Sequence, residues 1–131
     1  MRSSGKNFLL INLAIYRLHV VVTWGTSAAQ IVQYAKKHGY TPAKRFVAEF
    51  QEHTQDSIGL CMTFSNSNPD VLVWLRERPK RASDYGTLYH ELYHAVDSVS
   101  ESRNLAEELE ARAYAYEYLV TEANRFFWSC K

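Results

Sequence analysis

The amino-acid sequence predicts one α+β domain, and three observations carry that reading. An apolar run rich in Leu, Ile and Val fills residues 8–24, two shorter apolar segments flank a cluster of turn residues near the middle, and helical spacing takes over after Pro79. The order strand, helices, hairpin, helical pair is that of an α+β unit, with no repeat, linker or low-complexity stretch. A chain of 131 residues, 47% hydrophobic and 22% charged, suits a single globular domain spanning 1–131.

Taken in order, Arg2 and Lys6 precede Phe8-Leu9-Leu10-Ile11-Asn12-Leu13-Ala14-Ile15, which superficially resembles a signal peptide. The run is too short to span a bilayer and lacks a small-residue cleavage site, so it reads as structure behind a loose tail of residues 1–6. Leu18–Trp24 is a strand, largely buried because its apolar residues are nearly continuous. Gly25-Thr26-Ser27 ends it and offers a helix N-cap; Ala28 to His38 then carries Ile31, Tyr34 and Ala35 at helical spacing, up to Gly39. A second helix is expected from Pro42 to about Gln51, with Phe46, Val47 and Phe50 on one side. Ser57–Phe64 and Val71–Leu75 read as a hairpin around Asn66-Ser67-Asn68-Pro69-Asp70. Ser83 is expected to cap a helix running to about Ser102. Asn104 and Glu107 form a capping box for a last helix from Leu105 to about Phe127.

Charge narrows the function classes. Lys and Arg number 15 against 14 Asp and Glu, and no basic stripe is present, so neither nucleic acid nor a membrane is expected as a partner. Cys61 and Cys130 lie far apart and form no CxxC-type pair, which reads as two free thiols in a cytoplasmic chain.

Chemistry concentrates in His90-Glu91-Leu92-Tyr93-His94. Helix positions four apart lie about 40° apart on one face, so both imidazoles reach one metal ion. Glu91 lies on a neighbouring side of the same turn, close to a metal-activated water without being a ligand. This is the mechanical content of the H-E-x-x-H pattern, and it predicts Zn2+ held by His90 and His94 with Glu91 as general base. Zinc needs a third protein ligand. Asp97 and Glu101 share the helix face, but seven residues of helix rise about 10 Å, too far for one ion. The third ligand must come from another element. The last helix offers Glu107, which has its capping role, Glu108 and Glu110. Of these, Glu110 lies deeper than Glu108 by about 3 Å of rise. Glu110 is the choice, and Glu108 the alternative.

The stretch His90-Glu91-Leu92-Tyr93-His94-Ala95-Val96-Asp97, followed by Glu110-Ala111-Arg112-Ala113-Tyr114, resembles the short HExxH metallopeptidase-like proteins encoded by bacteriophages. In that group a Glu-x-x-Ala-Tyr run supplies the third ligand, which implies Glu110. Val71–Leu75 resembles the strand that leads into the motif helix. The resemblance covers roughly residues 70–127. A broader similarity is to thermolysin-like gluzincins and to bacterial metallopeptidases that cleave repressors; their Glu-x-x-Ala also fits Glu108-Leu109-Glu110-Ala111. The resemblance implies a zincin-like fold, with a small, mostly antiparallel sheet packed on the HExxH helix and a long C-terminal helix. It also implies a zinc-dependent peptidase acting on a protein or peptide, in the cytoplasm of a bacterial host if phage-encoded. The competing reading is a metallopeptidase-like binding or regulatory protein whose metal is structural or absent.

Other residues take subsidiary expectations. Tyr114, one turn beyond Glu110, is a candidate oxyanion donor or, more simply, a core residue. Asp97 either accepts a ring N–H from a ligand histidine or is a solvated carboxylate. Tyr116, Tyr118, Phe126, Phe127 and Trp128 are expected to pack on the sheet and motif helix, Trp74 in the core, and Glu101 and Glu117 at the surface. Arg76, Arg78, Lys80 and Arg81 read as a solvated connection, and His19, His38 and His53 lack ligand spacing. The 71–75 strand is the expected edge on which an extended peptide would pair.

Overall fold

Side-chain alternation along the strands decides the architecture. The computed structural model describes residues 2–3, 7–14, 18–63, 71–102 and 108–129. Its strands are β1 (Arg2–Ser3), β2 (Phe8–Leu13), β3 (Leu18–Trp24), β4 (Gly59–Thr63) and β5 (Val71–Leu75). Its helices are α1 (Ala28–Lys37), α2 (Phe46–Thr54), α3 (Ala82–Ser102) and α4 (Leu109–Ser129). The sheet order is β1-β2-β3-β5-β4. β3 and β5 pair in parallel, and the other neighbours are antiparallel. The expected α+β class and mostly antiparallel sheet are therefore present, with β1 contributing only two residues.

Successive strand side chains point to opposite faces. β5 is apolar and buried at all five positions, so both of its faces must be covered. On one face Leu9, Ile11, Val20, Val22, Val71 and Val73 meet α3 and α4 through Leu88, Leu92, Val96, Leu119 and Phe127. On the other, Phe8, Val21, Leu72 and Trp74 meet Ile31, Tyr34, Phe46 and Phe50 of α1 and α2. The result is three layers, helices on either side of the sheet. Trp74 is a core residue as expected, its indole N–H donating to the Thr26 carbonyl at 3.0 Å.

Local signals explain most of the elements. Ser27 caps α1 through a complete capping box with Gln30, and Gly39 follows that helix at φ +79°. The hairpin strands pair as expected, Gly59 opposite Leu75 through Thr63 opposite Val71; its turn residues lie outside the described ones. So do Asn104, Glu107 and Cys130.

Several expectations are corrected. The apolar run 8–24 holds two strands, β2 and β3, paired antiparallel. The tail is not wholly loose, because Arg2 and Ser3 pair with Leu10 and Leu9 and satisfy part of the open edge of β2. α2 starts at Phe46, not Pro42, with Arg45 at its N-cap. Ser83 lies inside α3 and does not begin it. Asp84 Oδ2 instead accepts the backbone N–H groups of Lys80 and Arg81, each at 3.0 Å, and ties down the approach to the helix. α4 begins at Leu109, four residues later than expected. Tyr114 is 54% exposed rather than in the core, because the core stripe of α4 runs through Ala115, Leu119, Ala123 and Phe127. Trp128, though 55% exposed, meets Tyr85 of the motif helix edge-on at 6.1 Å, as expected. β5 lies inside the sheet, and β4 is the edge strand. The basic segment is more than a solvated connection: Arg78 lies 5.2–5.6 Å from the rings of Trp24, Phe126 and Phe127, and Arg76 donates to the Ser57 carbonyl at 2.9 Å.

Two tests follow from this packing. Leu119 is fully buried between α4 and the sheet, so Leu119→Ala is expected to destabilise the fold by about 2–5 kcal/mol in urea unfolding. The backbone hydrogen bonds from Lys80 and Arg81 lower the Asp84 pKa. A carboxylate with a depressed folded pKa stabilises above its unfolded value, near 3.9, and loses that effect as pH falls through the folded value. The difference in melting temperature between wild type and Asp84→Asn is expected to be constant above about pH 5 and to shrink progressively below about pH 4. A difference that does not shrink would remove Asp84 from that role.

Candidate functional site

The rotation of α3 about its axis is fixed by its apolar side. Leu88, Leu92, Ala95, Val96 and Val99 are all at most 1% exposed, and each turns the helix the same way onto the sheet. His90 lies about 200° around the helix from Leu92 and so faces outward, as does His94; both are exposed. Their Nε2 atoms stand 3.2 Å apart, with ring centroids 4.7 Å apart at an interplanar angle of 83°. Two imidazole nitrogens bound to a tetrahedral zinc stand roughly 3.3–3.4 Å apart. The pair therefore fits two corners of such a site. The same separation suits an N–H···N hydrogen bond between the rings when no ion divides them.

Glu91 is one step further round and takes a different environment. It is only 8% exposed, held between α3 and the edge strand at Gly59. A Cβ at Gly59 would stand 2.8 Å from Thr87 Cγ2, 3.1 Å from Glu91 Cγ and 3.2 Å from Glu91 Oε2. Glycine is thus required for β4 to approach the helix this closely. Burial raises the Glu91 pKa above that of an ordinary glutamate, and the charges of His90 and His94 pull it partly back.

Cys61 lies beyond Gly59 on the same strand. Burial, reinforced by the charges of Glu91 and Asp97, pushes its thiol up to about 12. It is a neutral thiol at physiological pH, which withdraws it as a nucleophile.

The histidines stand on a ridge between two clefts. One follows β4: Gly59, Thr87, His90 and Glu91 line one stretch, and Gly59, Cys61, Glu91, His94 and Asp97 line its continuation. The other lies between α3 and α4, lined by Gly86, Tyr89, His90, Tyr93, Leu109 and Tyr116 among others.

The acidic residues divide. Asp97 receives the Arg112 guanidinium of α4, a partner that neither sequence-based reading of Asp97 named. Glu110 is exposed in the first turn of α4, and Glu108 is exposed just before it. Among the described residues no three His, Cys, Asp or Glu side chains gather closely enough to hold one ion. His90 and His94 are brought together, with Glu91 on the same turn of α3, and Glu110 does not join them. Sequence reasoning missed Gly59, Cys61 and Arg112. Of these only Gly59 carried a signal, as an isolated glycine inside a strand.

No family model matches the chain, and no curated protein or solved structure matches it significantly. Among the described residues no helix is long and apolar enough to cross a membrane.

The contact at Gly59 is directly testable. Gly59→Ala is expected to destabilise the fold by about 1–3 kcal/mol through overpacking. Thr87→Ser, which deletes the clashing methyl, is expected to recover part of that loss in the double variant. Urea unfolding of the four chains measures it, and strict additivity would exclude the contact.

Proposed function

We propose that this protein is a zinc-dependent metallohydrolase, a peptidase of the zincin-like type, with His90, His94 and Glu110 as metal ligands and Glu91 as general base. The single observation that carries the reading is the 3.2 Å separation of two outward-facing Nε2 atoms beside a buried carboxylate on the same helix turn. A structural metal needs the imidazoles but has no use for that carboxylate. Bound there, zinc supplies Lewis acidity, polarising a carbonyl and acidifying a water.

The chain's own residues supply the rest. Glu91, held by Gly59 and α3, accepts a proton from the attacking water and returns it to the leaving amine. Among the described residues no strand pairs with the outer edge of β4, and that edge would offer its backbone N–H and C=O groups to an extended peptide. That edge lies directly alongside Glu91, so a peptide paired there passes the base. The phage-type resemblance, a protein or peptide substrate and a bacterial host cytoplasm belong to the same proposal.

For the third ligand, helix geometry supports Glu110. Ala115, Leu119 and Ala123 define the sheet-facing side of α4, and Leu109, Arg112, Ala113 and Tyr116 line its α3-facing groove. Continuing round in the same sense, Glu110 comes next, on the side away from the sheet that His90 and His94 also take on α3. Glu108 falls about 200° from Glu110, on the opposite flank. Ligation by Glu110 requires the first turn of α4 to close on the histidines.

The exposure of Glu110 favours the second reading, a binding protein that keeps this shell without a catalytic metal. Metal analysis of the purified protein separates the two. About one zinc per chain is expected, lost in His94→Ala and Glu110→Ala and retained in Glu108→Ala. Glu91→Gln is expected to keep zinc and to lower peptide hydrolysis by roughly 10²-fold or more. Zinc retained in Glu110→Ala would move the third ligand, and a zinc-free wild type after metal supply would leave the binding reading in its place.

A further inference from the structure

Gly86 is the residue of α3 that the fold does not explain. It lies inside the helix, one turn before His90, where glycine costs about 1 kcal/mol relative to alanine. Its backbone needs no glycine, since the positive-φ glycines are Gly25 and Gly39. Packing needs none either: a Cβ at Gly86 meets nothing among the described residues within 4 Å. The contrast with Gly59, where a Cβ has no room, is complete. Among the described residues, what Gly86 leaves is open space on the exposed side of the helix.

That space has a defined position. Gly86 and His90 are the two residues that line both the cleft beside Glu91 and the groove between α3 and α4. Gly86 therefore lies between the two and adds no side chain to the ridge that separates them. The groove beyond has a volume of about 480 Å³, within the range of pockets that take small ligands. Its walls are Tyr89, Tyr93, Tyr116, Val96, Leu109 and Ala113, with Arg112, paired to Asp97, among them. Tyr93 and Leu109 remain 51% and 77% exposed, an apolar surface continuous with the proposed catalytic cleft.

We infer that Gly86 is a specificity-determining residue: it lets a bulky apolar or aromatic side chain of an extended peptide cross from the cleft at Glu91 into the α3–α4 groove. The assignment rests on the peptidase reading above. It also accounts for a helix glycine that lowers stability without serving the fold, as sites built to admit a ligand commonly do.

The test uses the zinc-supplied full chain, with Gly86→Ala and Gly86→Leu, on a mixed tryptic digest of unrelated proteins. Cleavage sites are read by mass spectrometry beside zinc content and melting temperature. Wild type is expected to cut next to Phe, Tyr, Trp or Leu. Gly86→Leu is expected to cut those peptides roughly 10-fold or more slowly and to shift towards small residues, with Gly86→Ala between. Both variants are expected to hold zinc as wild type does, and Gly86→Ala to melt at the same temperature or higher. An unchanged cleavage pattern in Gly86→Leu, a wild type indifferent to side-chain size, or a lower melting temperature for Gly86→Ala would each overturn the assignment. Absence of any cleavage by wild type would instead overturn the peptidase reading, and this assignment with it.

Discussion

The rotation of α3 on the sheet is the constraint from which the rest of the site follows. Leu88, Leu92, Ala95, Val96 and Val99 bury one side of this helix against β2, β3 and β5. Each buried Leu or Val of this kind contributes about 1.5–3 kcal/mol, so turning the helix by even one residue position would expose several of them. With that rotation set, His90 and His94 face outward and Glu91 faces the edge strand. Three side chains of one turn thereby receive different surroundings: two solvated imidazoles and one enclosed carboxylate.

The edge strand completes this division. β4 approaches α3 closely enough to cover Glu91 only because residue 59 has no side chain. The same strand has one edge bonded to β5 and, among the described residues, no strand on the other, so the element that encloses the carboxylate also lies at the sheet's rim. Burial and access meet at one residue. Packing favours the closest approach of strand to helix, while any chemistry at Glu91 needs the cleft beside it to stay open.

α4 is held to α3 by polar ties spaced along their contact. Tyr89 donates its hydroxyl to Asn124 at 2.7 Å, and Asp97 receives Arg112. Further along, Phe127 joins the core while Arg78 lies over its ring. The Arg112 tie sits at the end of the first turn, two residues from the exposed Glu110, while the others fix the body of α4 further along. Asp97 is thereby committed to holding the helices together, which leaves the histidines' surroundings to Glu91, Cys61 and the first turn of α4.

The sequence by itself determined the α+β class, the hairpin of β4 and β5, the capped start of α1 and the HExxH turn of α3. All of these are written in contacts between residues near one another in the chain: period-two or period-3.6 apolar spacing, a Ser27–Gln30 capping box, histidines four apart. Only the tertiary structure decided that β5 is internal and β4 at an edge, because strand order depends on which distant segments pair and not on local pattern. It also decided that Gly59 seats Glu91, that Arg112 claims Asp97, and that Tyr114 is exposed. The proposed third ligand lies between these two regimes: Glu-x-x-Ala-Tyr is legible as a pattern, but whether Glu110 could meet the histidines depends on how two helices meet, a distance that local spacing does not encode.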